Sequence, residues 1–372
     1  MQLQDLNIAI IGGGIGGMAA GTALAGRGAR VMLYEQAHAL AEVGAGLQIS
    51  PNGQAVLRAI GVGRAAGEAA TVSLGTRFHD GTSGRAVAQV PGPQAGPTWY
   101  MHRADLLAAL VKAAQTAGVE IELGGHRVPG SVKADLVIAA DGVCSTWRTA
   151  VDGPDRPQFT GQVAWRALVP CAPDLLPAQA QLYMGSRAHM VIYPLRQGRL
   201  ANIVAVEERH GWIEEGWNLQ GNLQEFRDRF ASFHGQAGDV VAKAKQVHQW
   251  ALHTRPVARQ WHMDNVVLLG DAAHPTLPFL AQGACMALED AAVLTGVLQA
   301  AKDIPSALAR YQSLRADRAR RIVAIAKGNA WRFHMPRPLA WGAHLALKIG
   351  AGALARRLEW VYDYDATKVA AE

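Results

Sequence analysis

Apolar positions in this chain fall into short unbroken runs near its start and into alternating or helical spacing further on. Residues 8–11 (Ile-Ala-Ile-Ile) and 31–34 (Val-Met-Leu-Tyr) are apolar throughout and too short for helices, the pattern of strands buried on both faces. An Ala-rich stretch running to about Arg27 links them and reads as a helix. Residues 135–140 and 266–270 repeat the buried-strand pattern, and each run ends at an aspartate-glycine pair, Asp141-Gly142 or Gly270-Asp271. Residues 119–123 add another strand. Leu106, Leu107, Leu110, Val111 and Ala114 recur at helical spacing, so a helix follows Arg103. Residues 54–60 read as a helix after a glycine-rich loop at 44–53. Residues 71–80 and 85–90 are strand-like pieces broken by Gly and Pro.

Between 158 and 210 the pattern turns to alternation. Residues 162–169, 179–184, 189–194 and 200–207 are separated by turn formers, which predicts an antiparallel sheet in a second layer. Helices are expected over 223–233, 240–244, 282–301 and 305–326, and the tail, with Trp331, Trp341 and Trp360, reads as mostly helical. The buried strands near the start, near 119–141 and near 266–271 belong together. The expected organisation is an α/β, Rossmann-like nucleotide-binding domain built from residues 1–72, 98–157 and 262–330. Residues 73–97 and 158–261 form an inserted antiparallel β-rich domain that could roof a ligand, and 331–372 a helical C-terminal segment.

The first turn explains the nucleotide reading. Gly12-Gly-Gly14-Ile15-Gly16-Gly17 follows a strand and opens a helix, and Glu35 closes the next strand about twenty residues on. Gly12 permits the tight turn. Gly14 lets backbone N–H groups approach a pyrophosphate at the positive end of the helix. Gly17 lets that helix pack on the strand, and Glu35 can hold ribose hydroxyls. Ile15 and Gln36 flank these positions on the cofactor side. Alone, the turn permits NAD, NADP or FAD.

Composition adds little. Of 372 residues, 50% are hydrophobic and 18% charged, as in an ordinary globular protein. The net charge of +6 is scattered; its densest cluster, Arg315 to Arg321, reads as a solvated helix face and not as a nucleic-acid site. Three distant cysteines, Cys144, Cys171 and Cys285, read as free thiols in a reducing compartment. No grouping has metal spacing. The first apolar run is a core strand and not a signal peptide, and His344 and Lys348 interrupt the apolar stretch 339–354, so the expected location is cytoplasmic, with no membrane partner.

Two further motifs narrow the cofactor. The first is Ala140-Asp141-Gly142-Val143-Cys144-Ser145-Thr-Trp-Arg148. The second is Gly270-Asp271-Ala-Ala-His274-Pro275, followed by Pro278 and by Ala281-Gln282-Gly283-Ala284-Cys285. With the glycine turn, in this order, they resemble the single-component FAD-dependent aromatic hydroxylases over nearly the whole chain. The end of the chain resembles the branch acting on salicylate, 3-hydroxybenzoate and 6-hydroxynicotinate. The resemblance implies FAD as resident cofactor, NAD(P)H as a transient co-substrate with NADH favoured, and molecular oxygen. The implied reaction hydroxylates a small phenolic, carboxylated ring through a flavin C4a-hydroperoxide. It also places Arg103 on the cofactor side, with a salt bridge to Asp105 or another carboxylate as the rival role, and gives Asp141 to both nucleotides. Asp271 would accept from ribityl hydroxyls. Gly283 and Ala284, at the start of a long helix, would let the flavin ring approach backbone N–H groups.

At the substrate, His189 and Tyr193 stand four apart in a strand and so face one side, towards one cavity. The same resemblance suggests a His and a Tyr at this spacing for phenol deprotonation, against the plainer readings of a core histidine and a packing aromatic. Gln48 would contact the cofactor or line the site, and Pro278 and Phe279 would lie above the flavin. Residues 277–280 are apolar where some relatives carry a polar catalytic side chain. Met184, Met190 and Trp165 could line the pocket or belong to the core, and His274 is structural or flavin-adjacent. The rival functions are a flavin-dependent halogenase, whose tryptophan motif is missing, a dehydrogenase or oxidase without oxygen insertion, and a non-catalytic flavin-binding protein. The Trp-rich tail would pack on its own core or on a second subunit, which would make a homodimer.

Overall fold

The computed structural model describes residues 1–40, 45–211, 219–336 and 339–369. Gly44, part of the expected loop, lies outside them. Six strands form the first sheet, in the order His262–Met263, Val266–Leu268, Leu136–Ala139, Asn7–Ile11, Arg30–Glu35 and Glu120–Leu123. All neighbours are parallel except the first pair. Its central strands are buried along residues 8–11 and 136–139 because helices cover both faces, which is why they read as unbroken apolar runs.

Eight strands form the roof sheet, in the order Leu219–Gln220, His248–Thr254, Gln158–Pro170, Leu200–Glu208, Ala188–Leu195, Ala180–Gly185, Thr76–Asp80 and Ala86–Val90. One neighbour pair corrects the antiparallel expectation: Ala180–Gly185 runs parallel to Thr76–Asp80. Those strands are a hundred residues apart in sequence, so no hairpin dictates their direction. The outer face of the roof buries Trp165, Met190 and Ile192 against Phe226, Phe230 and Phe233. Trp165 and Met190 are therefore core and not pocket lining.

The supposed loop before residue 50 contains a strand, Gly46–Ile49, which pairs with Trp99–His102. Gly46 N–H donates to Asn202 Oδ1 at 2.7 Å, and a Cβ on Gly46 would stand 2.7 Å from the Tyr193 hydroxyl. Glycine is needed there because the roof sheet meets the nucleotide sheet at that point. Helix Ile304–Phe333 runs about two turns beyond its expected end at residue 326. The end of the tail packs on its own protein, with the Arg321 guanidinium 3.9 Å over the Trp360 ring, whereas Trp331 and Trp341 are exposed. Among the described residues no helix is long and apolar enough to cross a membrane, and no cluster could hold a metal ion.

Candidate active site

Three glycines after the first strand do three different jobs. Gly12 has φ +108°, and a Cβ there would lie 2.3 Å from the Ala140 carbonyl oxygen, so backbone angle and neighbouring strand both demand glycine. A Cβ on Gly17 would meet the Gly12 carbonyl oxygen at 2.0 Å, so helix Ile15–Ala25 touches the strand backbone to backbone. Gly14 is the exception: it precedes the helix in extended conformation, and a Cβ there would meet no protein atom within 4 Å. Packing does not require it. What its small size preserves is access to the unbonded N–H groups and positive end of the helix. Glu35 borders this turn, accepting from Gly13 N–H at 2.7 Å and from Ala37 N–H at 2.8 Å. The Ile15 side chain is buried in the core, so only its backbone is offered here, and Gln36 is exposed at the strand end.

Asp141 comes from the adjacent strand end, its Cα 3.1 Å from where a Gly12 Cβ would be. Oδ2 accepts from Thr146 N–H at 3.1 Å, while Oδ1 is buried with no partner among the described residues. Burial raises its carboxyl above the usual range. A buried orphan acceptor beside an open helix terminus suits a ligand donor.

Asp271 sits on the turn Gly270–Ala272, where Gly270 has φ +64°. Asp271 is exposed as a residue, while its carboxylate is crowded by protein. That burial raises it, with His274 and then Arg103 opposing. Arg103 is thus close enough for its charge to be felt at Asp271. Asp105, one of the carboxylates proposed as a rival partner for Arg103, is held by Arg196 at 2.7 Å. Behind the turn, fully buried Arg148 donates to the carbonyls of Ala272 and Ala273 at 3.4 Å and pairs with Asp155 at 3.0 Å. Asp290 accepts from Gly270 N–H at 3.0 Å and meets His274 Nε2 at 2.5 Å and Arg315 Nε at 2.7 Å. Burial pushes Asp290 up, but His274 and Arg315 outweigh it and bring the carboxyl to about 2. His274 is accordingly a buried brace.

Glu289 joins Arg315 at 2.6 Å, Arg318 at 2.7 Å and Asn52 Nδ2 at 2.6 Å. The expectation of a solvated arginine face therefore fails at Arg315 and Arg318, which are buried because adjacent Glu289 and Asp290 supply carboxylates from another helix. Asn52 continues to Gln282, which donates to Ser50 Oγ at 2.9 Å. This network fixes the start of helix Gly283–Ala300, and with it Gly283 and Ala284. A cavity of about 90 Å³ beside it is lined by Gln48, Ser50, Tyr100, Gln282 and Tyr362. Pro278 is exposed on a short turn next to it.

The strand registers of the roof sheet give its inner face row by row. One row reads Met184, His189, Val206, Ala164, Trp250; the next Leu182, Val191, Val204, Arg166, His248; the third Ala180, Tyr193, Asn202, Leu168. His189 and Tyr193 do share this face. They stand about 13 Å apart along the strand and keep different company. His189 packs on Phe279 and Phe333 with ring centroids at 5.2 and 5.1 Å. Tyr193 packs on Tyr100 at 5.0 Å. Neither lines the 90 Å³ cavity, nor a second of about 420 Å³ formed by Met184, Phe333, Met335 and His344 among others. Burial, and then His334, lowers His189 well below the histidine range, so it is a neutral imidazole. Between their rows stands Arg166, 6% exposed, its guanidinium 5.4 Å over the Trp250 ring. Its charge also acts on Tyr193, His102 and His248. Arg166 and His334 escaped the sequence reading. Arg166 could have been found, since it alternates with Ala164 and Leu168 and is the one charged residue among them.

The family model described as an FAD binding domain matches residues 5–128 and 124–326. This chain belongs to that family. The 3-hydroxybenzoate 6-hydroxylase of Klebsiella oxytoca is 34% identical over 95% of this chain and 96% of its own length. The 6-hydroxynicotinate 3-monooxygenase of Bordetella bronchiseptica is 33% identical over 87% and 91%. A salicylate hydroxylase substrate complex superposes with a TM-score of 0.81 at 26% identity, covering 98% of this chain and 97% of that one. The protein is a flavin-dependent aromatic monooxygenase, an oxidoreductase that uses FAD with NAD(P)H and oxygen. The geometry suits that cofactor: an open helix terminus at Gly14, acceptors at Glu35, Asp141 and Asp271, and a cation at Arg103.

Proposed function

We propose that this monooxygenase hydroxylates a small phenolic ring bearing a carboxylate, with NADH as the preferred reductant. Bound FAD supplies electron transfer from the nicotinamide and oxygen activation. In this reading the pyrophosphate lies at Gly12, Gly14 and Gly17 and the N–H of Ile15, and Glu35, with Gln36 beside it, takes the ribose. Arg103, Asp141 and Asp271 serve the middle of the cofactor. Gln48, Pro278 and the helix start at Gly283 and Ala284 would hold the flavin ring. Phe279 and Phe333, packed on His189, would help keep water from the reacting ring.

The observation that carries the substrate class is Arg166, a buried guanidinium on the inner roof face between His189 and Tyr193. A buried guanidinium can hold a carboxylate bidentately. Neutral His189 is the base for the phenol proton, and Tyr193 orients the ring from the other end. The relatives' named substrates, 3-hydroxybenzoate and 6-hydroxynicotinate, carry both groups. Arg166→Met removes the cation and keeps the stem. It should raise KM for the carboxylated substrate roughly tenfold to hundredfold, the value of one charged hydrogen-bonded contact, and leave FAD content alone. Unchanged KM would remove the carboxylate from the proposal.

A further inference from the structure

The base His189 is one member of a chain. His189 Nδ1 lies 2.7 Å from His334 Nε2, and His334 Nδ1 lies 3.0 Å from Glu208 Oε1. Both rings are buried, whereas the Glu208 side chain is 36% exposed and pairs with Arg187 at 3.3 Å. Three side chains therefore connect the inner roof face to solvent.

Donor and acceptor rules fix the hydrogens along it. An ionised carboxylate only accepts, so His334 Nδ1 carries a hydrogen. In a neutral His334 the Nε2 is then an acceptor, and His189 Nδ1 must donate to it. That leaves His189 Nε2 with a bare lone pair, and no described protein group bonds it. Gln162 agrees with this order. Its amide end lies 3.4 Å from His334 Nδ1, and its Oε1 is buried without a partner among the described residues. Turned over, the amide would present that oxygen to the Nδ1–H as a second acceptor beside Glu208.

We infer that His334 and Glu208 are positioning residues for His189, holding it in the tautomer that can take a phenol proton and carrying that proton to solvent. The inference rests on His189 being the base. The phenol proton moves to His189 Nε2, the His189 Nδ1 proton to His334 Nε2, and the His334 Nδ1 proton to Glu208 Oε1 and then to water. Neither ring keeps a charge, and the reverse transfers restore both tautomers when the product takes up a proton. His334 also caps the C-terminus of helix Ile304–Phe333, where the dipole favours a passing imidazolium. A buried imidazole holds a proton weakly, so a route out speeds its release.

The direct test is nitrogen-15 NMR of the histidine rings in the FAD-loaded protein near pH 7.5, assigned with His189→Gln and His334→Gln. The expected result is a protonated Nδ1 and a bare Nε2 on both rings, and a mixture of tautomers at His334 in Glu208→Gln. Protonation of His189 at Nε2 would overturn the inference. Glu208 is half-exposed, so Glu208→Gln should fold. With 3-hydroxybenzoate as probe, its proton release, read by an indicator dye in stopped flow, should slow at least tenfold, and its solvent isotope effect should rise. Release at the unmodified rate in Glu208→Gln, but slowed in His189→Ala, sinks the chain and spares the base. Unslowed release in His189→Ala sinks the base assignment itself.

Discussion

Gly14 and Gly17 are two residues of the same turn, yet alanine should affect them in opposite ways. At Gly14 the backbone has φ −73° and ψ −177°, angles open to alanine, and the new methyl would meet no protein atom within 4 Å. Stability without cofactor should change by less than about 1 kcal/mol, since the loss of a good cap opposes the gain in chain entropy. The methyl would instead intrude where the pyrophosphate approaches the helix N–H groups. Losing one charge-assisted hydrogen bond there costs about 1.5–3 kcal/mol, a tenfold to hundredfold weaker Kd for FAD. At Gly17 the methyl would stand 2.0 Å from the Gly12 carbonyl oxygen. The helix would have to lift off the strand by more than 1 Å, at roughly 3 kcal/mol or more, with or without FAD. The assay is a melting curve of FAD-stripped protein beside an FAD titration for each variant. If Gly14→Ala bound FAD like the unmodified protein, or melted as early as Gly17→Ala without FAD, the assignment of the open space to the cofactor would be refuted.

Two further outcomes follow from the geometry. Asp290 is held at about 2 against an ordinary 3.8, so it stabilises the fold above pH 4, and that contribution is lost as pH falls from about 4 to 2. Its size is about 2 kcal/mol, and acid unfolding of Asp290→Asn should lack that part of the slope; an unchanged slope contradicts the ion network. His189→Ala should slow hydroxylation by about 100-fold or more while FAD content stays the same, and unchanged turnover in a product assay would dismiss His189 as base.

What the sequence made legible is local. The glycine turn, the buried strands and the strand carrying His189 and Tyr193 are each specified within a dozen residues, and the structure has all of them. What stayed hidden depends on partners far along the chain. Gly46–Ile49 looks like a loop until Trp99–His102 is beside it. Arg315 and Arg318 look solvated until Glu289 and Asp290 meet them inside the protein. His334 lies two turns past the expected end of its helix, at the observed C-cap, and only the fold brings it within 2.7 Å of His189, 145 residues away. His189 and Tyr193 do share one face, as alternation implies, but alternation does not show that Arg166, from another strand of the sheet, stands between their rows.

The most direct measurement is NADH oxidation by the FAD-loaded protein with salicylate, 3- and 4-hydroxybenzoate, 6-hydroxynicotinate and the matching uncarboxylated phenols, reading product mass and peroxide together. The account predicts that a carboxylated phenol accelerates NADH oxidation and gains one oxygen with little peroxide, and that its uncarboxylated counterpart does neither. Equal hydroxylation of the uncarboxylated rings, or acceleration that yields only peroxide with every acid, would contradict it.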